Sequence, residues 1–241
     1  MDPVTVAARA GPRIVTLGGA FMLDESTTAR GAQLGLDFAG FYGLGRGSVL
    51  GDVHPEVVAA AFPFVPPALV RTVWSSARVT LDPATATTAY VEACRTWGRV
   101  HLAGVSDLSR LGELLQRVVD AGSVAANALF AGWRAVARPD DPEGRAAQLL
   151  FVAREQRGGP HVVAVLASEL TPLEAVIASG GPEAAALYSW PPPYPEVEPL
   201  RERHAAAVAL TDRLVASAYA VLDDREALEL LALLDEIDAS S

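Results

Sequence analysis

The fold is decided between Arg154 and Gly181, where the chain reads REQRGGPHVVAVLASELTPLEAVIASGG. Pro160 follows two glycines, and a proline at a first helical position predicts that a helix begins there. Thr171 and Glu174 have the spacing of a capping box and predict a second short helix, which a Gly-Gly pair ends. The apolar residues of the first helix keep the i, i+3, i+4, i+7 spacing of one helical face: Val163, Leu166, Ala167 and Leu170. The stretch therefore predicts two helices joined by a short turn.

Helix signals continue through most of the chain. Asp82 before Pro83 predicts one helix start, Ser106 or Asp107 a second that ends at Gly122, and Ser123 a third. Two more helices are predicted at about 196–222 and 224–238, whereas strand evidence is limited to the segment RIVTLGG. We therefore predict an all-α fold, an irregular multi-helix bundle with a central pocket and a C-terminal helical pair.

One stretch has the composition of a linker. The segment SWPPPYPEVEP at 189–199 is rich in proline, which favours extended backbone and separates what flanks it. We expect a helical core domain at 1–188, a proline-rich connector at 189–199, and a C-terminal helical segment at 200–241 that packs on the core.

Composition limits the compartment and the partners. The 241 residues carry a formal net charge of −10, and all 19 basic residues are arginine. Such a charge opposes binding to nucleic acid and to anionic membranes. Cys94 is the single cysteine, no apolar run approaches the ~18 residues of a membrane span, and the first residues lack a signal-peptide pattern. We expect a cytoplasmic protein without a membrane partner.

The residues around Pro160 form the first candidate site. A helix that begins there leaves the amides of His161 and Val162 free, at the positive end of its dipole. Arg154 and Arg157 precede it, so the sequence predicts a site for a carboxylate, phosphate or enolate. His161 is then the candidate catalytic acid or base, and both arginines are ligand-binding candidates. The alternative left open is that Gly-Gly-Pro only turns the chain and Arg157 pairs with Glu155 or another surface acid.

Two further segments supply ligand-binding candidates. The run GFYGLGRGSVLG at 40–51 lacks the ending of a phosphate-binding P-loop, so we expect a compact turn from which Tyr42 and Arg46 reach a pocket. Trp133 either stacks on a flat ligand or packs in the core. No metal-binding spacing and no cofactor motif is present in the sequence, so neither a metal nor a cofactor is expected.

The predicted helix pair also has the form of a DNA-reading helix-turn-helix. Its second helix, PLEAVIAS, contains no Arg, Asn or Gln to contact base edges, and its one charge is negative. Together with the net charge, this predicts that the chain has no nucleic acid partner.

Four segments together resemble an actinobacterial family of all-helical proteins, commonly labelled helix-turn-helix or winged-helix domain proteins. They are FAGFYGLGRGSVLG, FPFVPPALVRTVW, the stretch from ALFAGWRAVARPDD to ELTPLEA, and LTDRLVASAYAVL, within about 38–222. The resemblance implies an all-helical fold. The chain departs from the family's pattern at YSWPPPYPEVEPLRERHAAA, where relatives continue into a winged-helix segment, and near Leu17, where many have a histidine.

These observations lead to one functional prediction and one alternative. The prediction is a small-molecule-binding protein, a cofactor-independent cyclase, isomerase or lyase of actinobacterial secondary metabolism, with an anionic or carbonyl-containing ligand and a homodimeric state. The alternative is a ligand-sensing transcriptional regulator or a non-catalytic accessory protein. A basic groove would favour the regulator, and a closed pocket containing His161 and Arg157 would favour the enzyme.

Overall fold

The structure is a computed structural model that describes the backbone of residues 1–240 and the side chains of residues 1–237. Within these residues it contains twelve α-helices and no β-strand, so the predicted all-α class is confirmed. The helices are α1 (Pro3–Ala20), α2 (Glu25–Gln33), α3 (Phe38–Gly47), α4 (Pro55–Ala61), α5 (Pro67–Thr80), α6 (Pro83–His101), α7 (Leu108–Ala121), α8 (Ala128–Ala135), α9 (Pro142–Ala167), α10 (Pro172–Leu187), α11 (Arg201–Tyr219) and α12 (Asp224–Ser240).

Helix α9 is the centre of the bundle. It packs against α1, α6, α7, α8 and α11, and most of its residues between 146 and 156 are buried. Helix α1 approaches it closely because Gly18 presents no side chain: a Cβ atom there would lie 2.9 Å from the Cβ atom of Arg154. Helix α12 packs against α1 and α7. The large core therefore forms around α9.

Helix α9 does not begin where the sequence predicts. It runs without interruption from Pro142 to Ala167, so Pro160 lies inside it and the predicted helix start is wrong. Proline removes one backbone N–H and leaves the carbonyl of Gln156 without its helical donor. The Asn127 side-chain amide supplies that donor, at 3.1 Å, and also donates to the carbonyl of Glu155, at 2.8 Å. A side chain that is distant in the sequence thus completes the hydrogen bonding of α9, a helix that local sequence rules predict to begin at Pro160.

Other local predictions fail for related reasons. The segment RIVTLGG lies in α1, and the glycine-rich run at 40–51 forms most of α3 and a 3-10 turn rather than a compact turn. Asp37 starts α3 by accepting a hydrogen bond from the amide of Gly40. The start predicted at Ser123 is displaced to Asn127, whose side-chain oxygen accepts from the amide of Phe130. Packing against α6 and α9 overrides weak local helix preference in these segments.

Two predicted caps are confirmed. The Asp82 carboxylate accepts a hydrogen bond from the amide of Thr85 at the start of α6. Thr171 and Glu174 form the capping box of α10, with each side chain accepting from the other residue's amide. Helix α10 then kinks at Gly181, which has a φ of 71°. The backbone of Gly181 is therefore not helical, and the predicted Gly-Gly stop is confirmed: a first helical segment ends there and a second one continues to Leu187.

No single helix in the described residues is long and apolar enough to cross a membrane. Taken together, α9 and α10 meet the length and composition required, but they are bent by 104° relative to each other. The apolar part of α9 is also covered by five other helices.

Candidate functional site: a helix pair, a buried ion-pair network and an apolar cavity

The pair α9–α10 has the geometry of a helix-turn-helix. The two helices meet at 104° across the four residues 168–171. Helix-turn-helix motifs join helices at about 90–120° through a turn of 3–4 residues that often contains glycine. Here Glu169 takes the left-handed conformation that glycine favours, with a φ of 57°. The turn therefore has the required backbone without the glycine that would mark it in the sequence.

A small hydrophobic cluster of its own holds this pair together. Leu170 is buried in the turn, and the first part of α10 buries its inner face, including Ile177. The connector after α10 covers the cluster, because the Trp190 indole N–H donates to the carbonyl of Phe64 at 2.9 Å. The other buried members are Ala164, Val165, Ala175, Val176, Ala185, Leu200 and Ala207. The helix pair is thus a packed unit beside the main core.

The surface of α10 carries acidic and apolar groups. Its first turn presents Leu173 and Glu174, both half-buried, and no basic residue belongs to the helix. Arg203 from α11 donates to the carbonyl of Glu169 at 2.8 Å and lies 4.0 Å from Glu174. These contacts fix the turn between the two helices.

Three of the predicted ligand-binding residues meet in one buried network. Arg46 donates to both carboxylate oxygens of Glu155, from Nε and Nη2, at 2.9 Å each. Its Nη1 donates to the Tyr42 hydroxyl at 3.1 Å, and Arg154 Nη1 donates to Glu155 Oε1 at 2.9 Å. The Arg46 guanidinium also lies 4.7 Å from the centre of the Phe62 ring. The sequence offers Glu155 only as a surface partner of Arg157; its pairing with Arg46 is not visible there because 109 positions separate the two residues.

The network holds its charges despite burial. Burial acts to raise the pKa of Glu155, but the charges of Arg46 and Arg154 outweigh it and hold this pKa below its ordinary value. Burial acts in the opposite sense on Arg46, and the Glu155 carboxylate raises the Arg46 pKa above its ordinary value. All three groups are therefore ionised, so the network holds two positive charges and one negative charge.

Trp133 lies in the hydrophobic core. It is fully buried, its ring centre lies 4.8 Å from that of Phe151, and its indole N–H donates to the carbonyl of Arg46 at 3.0 Å. Its ligand-binding role stays a prediction, and its contacts are those of a packing residue that orients α3 on α8.

His161 and Arg157 lie apart from the network, on the side of α9 that faces α11. His161 Nδ1 lies 3.0 Å from the Thr211 hydroxyl, which lies 2.8 Å from the carbonyl oxygen of Ala207. Burial, with the nearby charge of Arg157, lowers the pKa of His161 to about 4. Because α9 is continuous, the free amides that supported an anion site here are absent. The catalytic role of His161 stays a prediction without that support.

Arg157 has a structural partner. Its Nη1 lies 2.8 Å from Oδ1 of Asp212, and both side chains are mostly buried. Gly11 of α1 makes room for this pair, since a Cβ atom there would lie 2.9 Å from the guanidinium carbon. The acid that pairs with Arg157 is thus a buried residue of α11, and the ligand-binding role of Arg157 stays a prediction.

A group of arginines without carboxylate partners surrounds the connection from α8 to α9. Arg134, Arg138 and Arg145, here called the arginine cluster, form no ion pair among the described residues. Arg138 donates to the carbonyls of Val136 and Arg134. Burial, and the positive charges of Arg145 and Arg95, lower the pKa of Arg138 to about 10. The segment between Arg138 and Arg145 also carries Asp140, Asp141 and Glu143, so these arginines lie among acidic residues.

An apolar cavity of about 540 Å³ lies between α1, α3, α5 and the end of α10 and opens at the surface. The central pocket predicted from the sequence does not appear in the described residues; this cavity lies instead at the surface. Tyr42 and Arg154 line it, whereas the other predicted site residues do not. Its walls include residues that the sequence analysis missed, among them Phe38, Phe62 and Leu187, because distant segments supply them.

The model of one family, described as the helix-turn-helix family, matches residues 7–203. The chain belongs to the helix-turn-helix family. The match contains both α9 and α10, and it confirms the family resemblance deduced from the sequence. No curated protein and no solved structure matches the chain.

Membership of the helix-turn-helix family corrects two predictions. The main functional prediction, a cofactor-independent biosynthetic enzyme, is wrong, and the regulator alternative fits better. The exclusion of a nucleic acid partner is also wrong, since proteins of this class usually bind nucleic acid. The net charge led to a wrong prediction because it is a sum over the whole surface, whereas nucleic acid binding depends on the local arrangement of helices and cations.

Proposed function

We propose that this protein is a DNA-binding transcriptional regulator that uses α9 and α10 as its helix-turn-helix. The observation that supports this most directly is the 104° crossing of these helices over a four-residue turn, within the part of the chain that matches the family. The role assigns the protein to the cytoplasm and includes a response to a small molecule. We also propose the division into a core at 1–188, a connector at 189–199 and a C-terminal segment at 200–241.

Helix α10 is the reading helix in this proposal. In a helix-turn-helix, the second helix lies in the major groove and its N-terminal residues contact base edges. In α10 these residues are Leu173 and Glu174. Apolar side chains contact the methyl group of thymine, and a carboxylate accepts a hydrogen bond from the N4 amino group of cytosine. The expected site therefore contains thymine and cytosine where α10 enters the groove.

Arg203 provides positive charge beside the helix pair. It donates to the carbonyl of Glu169 in the turn, and its side chain is 40% exposed. Phosphate contacts supply sequence-independent affinity and fix the position of a protein on the duplex. In this proposal Arg203 contributes affinity and α10 contributes selectivity.

The test is a selection of bound sequences from a pool of random duplexes, followed by titration of the selected site by fluorescence anisotropy at 150 mM salt. We expect the selected site to bind about 10³-fold or more tightly than the random pool, the usual difference between specific and non-specific complexes. Failure to enrich any sequence, with equal binding of the final and starting pools, would overturn the proposal.

Two pairs of variants assign the parts of the interface. Glu174→Gln keeps a side chain that can complete the capping box but removes the carboxylate, and Glu183→Gln is its exposed control on the same helix. We expect only Glu174→Gln to change the preferred base at one position. Arg203→Ala should lower the salt dependence by about one phosphate contact, whereas Arg225→Ala, an exposed control on α12, should not.

A further inference from the structure

We infer that the apolar cavity binds a hydrophobic molecule that carries one anionic oxygen, such as a carboxylate. This identifies the site and the chemical class of the ligand within the proposed small-molecule response. Only the effect of this ligand on DNA binding rests on the proposed function. The occupation of the cavity itself follows from its volume, its lining and its charge.

The volume and the lining fit a small ligand. Ligand sites in proteins usually have volumes of about 300–1,000 Å³ and mostly apolar walls with a few polar groups. The cavity, at about 540 Å³, has walls of aliphatic and aromatic side chains such as Phe38, Phe62, Leu69 and Val73. Several apolar residues at its mouth are exposed, including Leu23 at 71% and Leu187 at 75%. A hydrophobic ligand would cover apolar surface that now faces water.

The polar end of the ligand is defined by Tyr42 and Arg154. The Tyr42 hydroxyl oxygen accepts from Arg46, and its own hydrogen has no acceptor among the described residues. Arg154 uses Nη1 for Glu155, while its Nη2 has no hydrogen-bond partner among those residues. Two donors on the cavity wall are therefore available for an oxygen that accepts hydrogen bonds.

The charge of the adjoining network favours an anion over a neutral acceptor. Arg46 and Arg154 share the single carboxylate of Glu155, so the network has one uncompensated positive charge beside an apolar volume. No acidic residue lines the cavity. An unpaired charge next to a low-dielectric region is unfavourable, and a bound anion would compensate it.

The mouth of the cavity connects this site to the reading helix. Leu187 and Tyr188 edge the cavity, and Leu187 is the last residue of α10. Between them and the first turn of α10 lies the kink at Gly181, with a φ of 71°. A ligand that contacts the end of α10 therefore contacts the helical segment that Gly181 joins to the one that the proposed function puts in the DNA groove.

The experiment compares two probes that differ in one group, decanoate and 1-decanol, by titration calorimetry of the full chain without DNA. We expect decanoate to bind with about one-to-one stoichiometry and about tenfold more tightly than decanol, because hydrogen bonds to charged groups are stronger than neutral ones. Equal affinity of the two probes, or no binding of either, would overturn the inference. DNA binding is measured in a separate experiment, so the proposal for the cavity and the proposal for DNA binding can fail independently.

Matched variants locate the probe. Ala39 is exposed and lines the cavity, so Ala39→Trp fills it, whereas Ala32→Trp introduces the same side chain at an exposed position on α2 that does not line the cavity. We expect Ala39→Trp to weaken decanoate binding by at least about tenfold and Ala32→Trp to leave it unchanged. Tyr42→Phe should reduce the preference for decanoate over decanol. Unchanged decanoate binding by a folded Ala39→Trp variant would contradict the assignment of the cavity.

Discussion

Asn127 completes the hydrogen-bonding that Pro160 removes from α9. Its side-chain nitrogen lies 3.1 Å from the carbonyl oxygen of Gln156, the acceptor that a residue other than proline at position 160 would satisfy. Gly159 permits this approach, because a Cβ atom there would lie 2.6 Å from the Cβ atom of Asn127. The motif Gly-Gly-Pro is thus explained by a contact with the start of α8, and the helix passes through it.

This relationship predicts a coupling between the two positions. Asn127→Ala should lower the free energy of unfolding by about 1–3 kcal/mol, because it leaves the buried carbonyl of Gln156 without a donor and removes the cap of α8. Pro160→Ala restores a backbone N–H for Gln156, so Asn127→Ala should cost less in that background. Urea unfolding of the two single variants and the double variant gives the coupling energy. Additive effects of the two substitutions would contradict the contact.

A second prediction concerns the pH dependence of stability at His161. The pKa of His161 is about 4 in the folded chain, below the ordinary value of 6.5, chiefly because of burial and then because of Arg157 and His204. The unfolded state therefore binds more protons between these values, so the contribution of His161 is fully present above about pH 6.5 and is lost as the pH falls towards 4. Complete loss of this contribution lowers the free energy of unfolding by at most about 3 kcal/mol.

His161→Gln should flatten the pH dependence between 4 and 6.5, as measured by denaturant unfolding at several pH values. His54→Gln provides the control at an exposed helix cap on α4. An unchanged profile in His161→Gln would show that other groups control stability in this range.

A third prediction concerns the buried ion-pair network. Glu155→Gln removes the carboxylate shared by Arg46 and Arg154 and leaves two positive charges near each other. Breaking a buried pair by removing one partner costs about 3–5 kcal/mol, and we expect a loss of this size in chemical unfolding. Glu183→Gln, at an exposed position on α10, should have little effect. A loss for Glu155→Gln no larger than that of this control would contradict the network.

A fourth prediction separates two glycines that both lie in helices. A Cβ atom at Gly18 would lie 2.9 Å from that of Arg154, so Gly18→Ala should force α1 away from α9 and destabilise the fold by about 1–3 kcal/mol. A Cβ atom at Gly158 meets nothing within 4 Å, so Gly158→Ala should stabilise α9 by about 0.5–1 kcal/mol. Thermal unfolding of both variants tests whether their changes in stability have opposite signs. Destabilisation by Gly158→Ala would show that this glycine has a role other than the one described.

The sequence predicts those features that depend on neighbouring residues. Asp82 and Thr171 cap helices because each reaches an amide three residues ahead, and the spacing that allows this is visible in the chain. The helical class follows from the repetition of such signals. The same local rule fails at Pro160, where the deciding hydrogen bond comes from Asn127, 33 positions earlier in the sequence.

The candidate site was predictable only in part for the same reason. Tyr42 and Arg46 lie one turn apart on α3, and their proximity can be read from the chain once α3 is known to be a helix. Glu155 joins them across 109 positions, and only the packing of α3 beside α9 reveals it. The helix-turn-helix form of α9 and α10 is visible in the sequence, although in its turn Glu169, and not a glycine, adopts the left-handed conformation.

The position of the kink at Gly181 has a thermodynamic consequence. Two helical segments meet at Gly181: the first carries the proposed reading residues, and the second carries the edge of the ligand cavity. A molecule in the cavity that changes the affinity for DNA by some factor must have its own affinity changed by DNA by the same factor. The proposed operator is therefore itself an effector of the cavity, and titrating decanoate against the DNA-bound protein measures the same coupling energy as titrating DNA against the decanoate-bound protein.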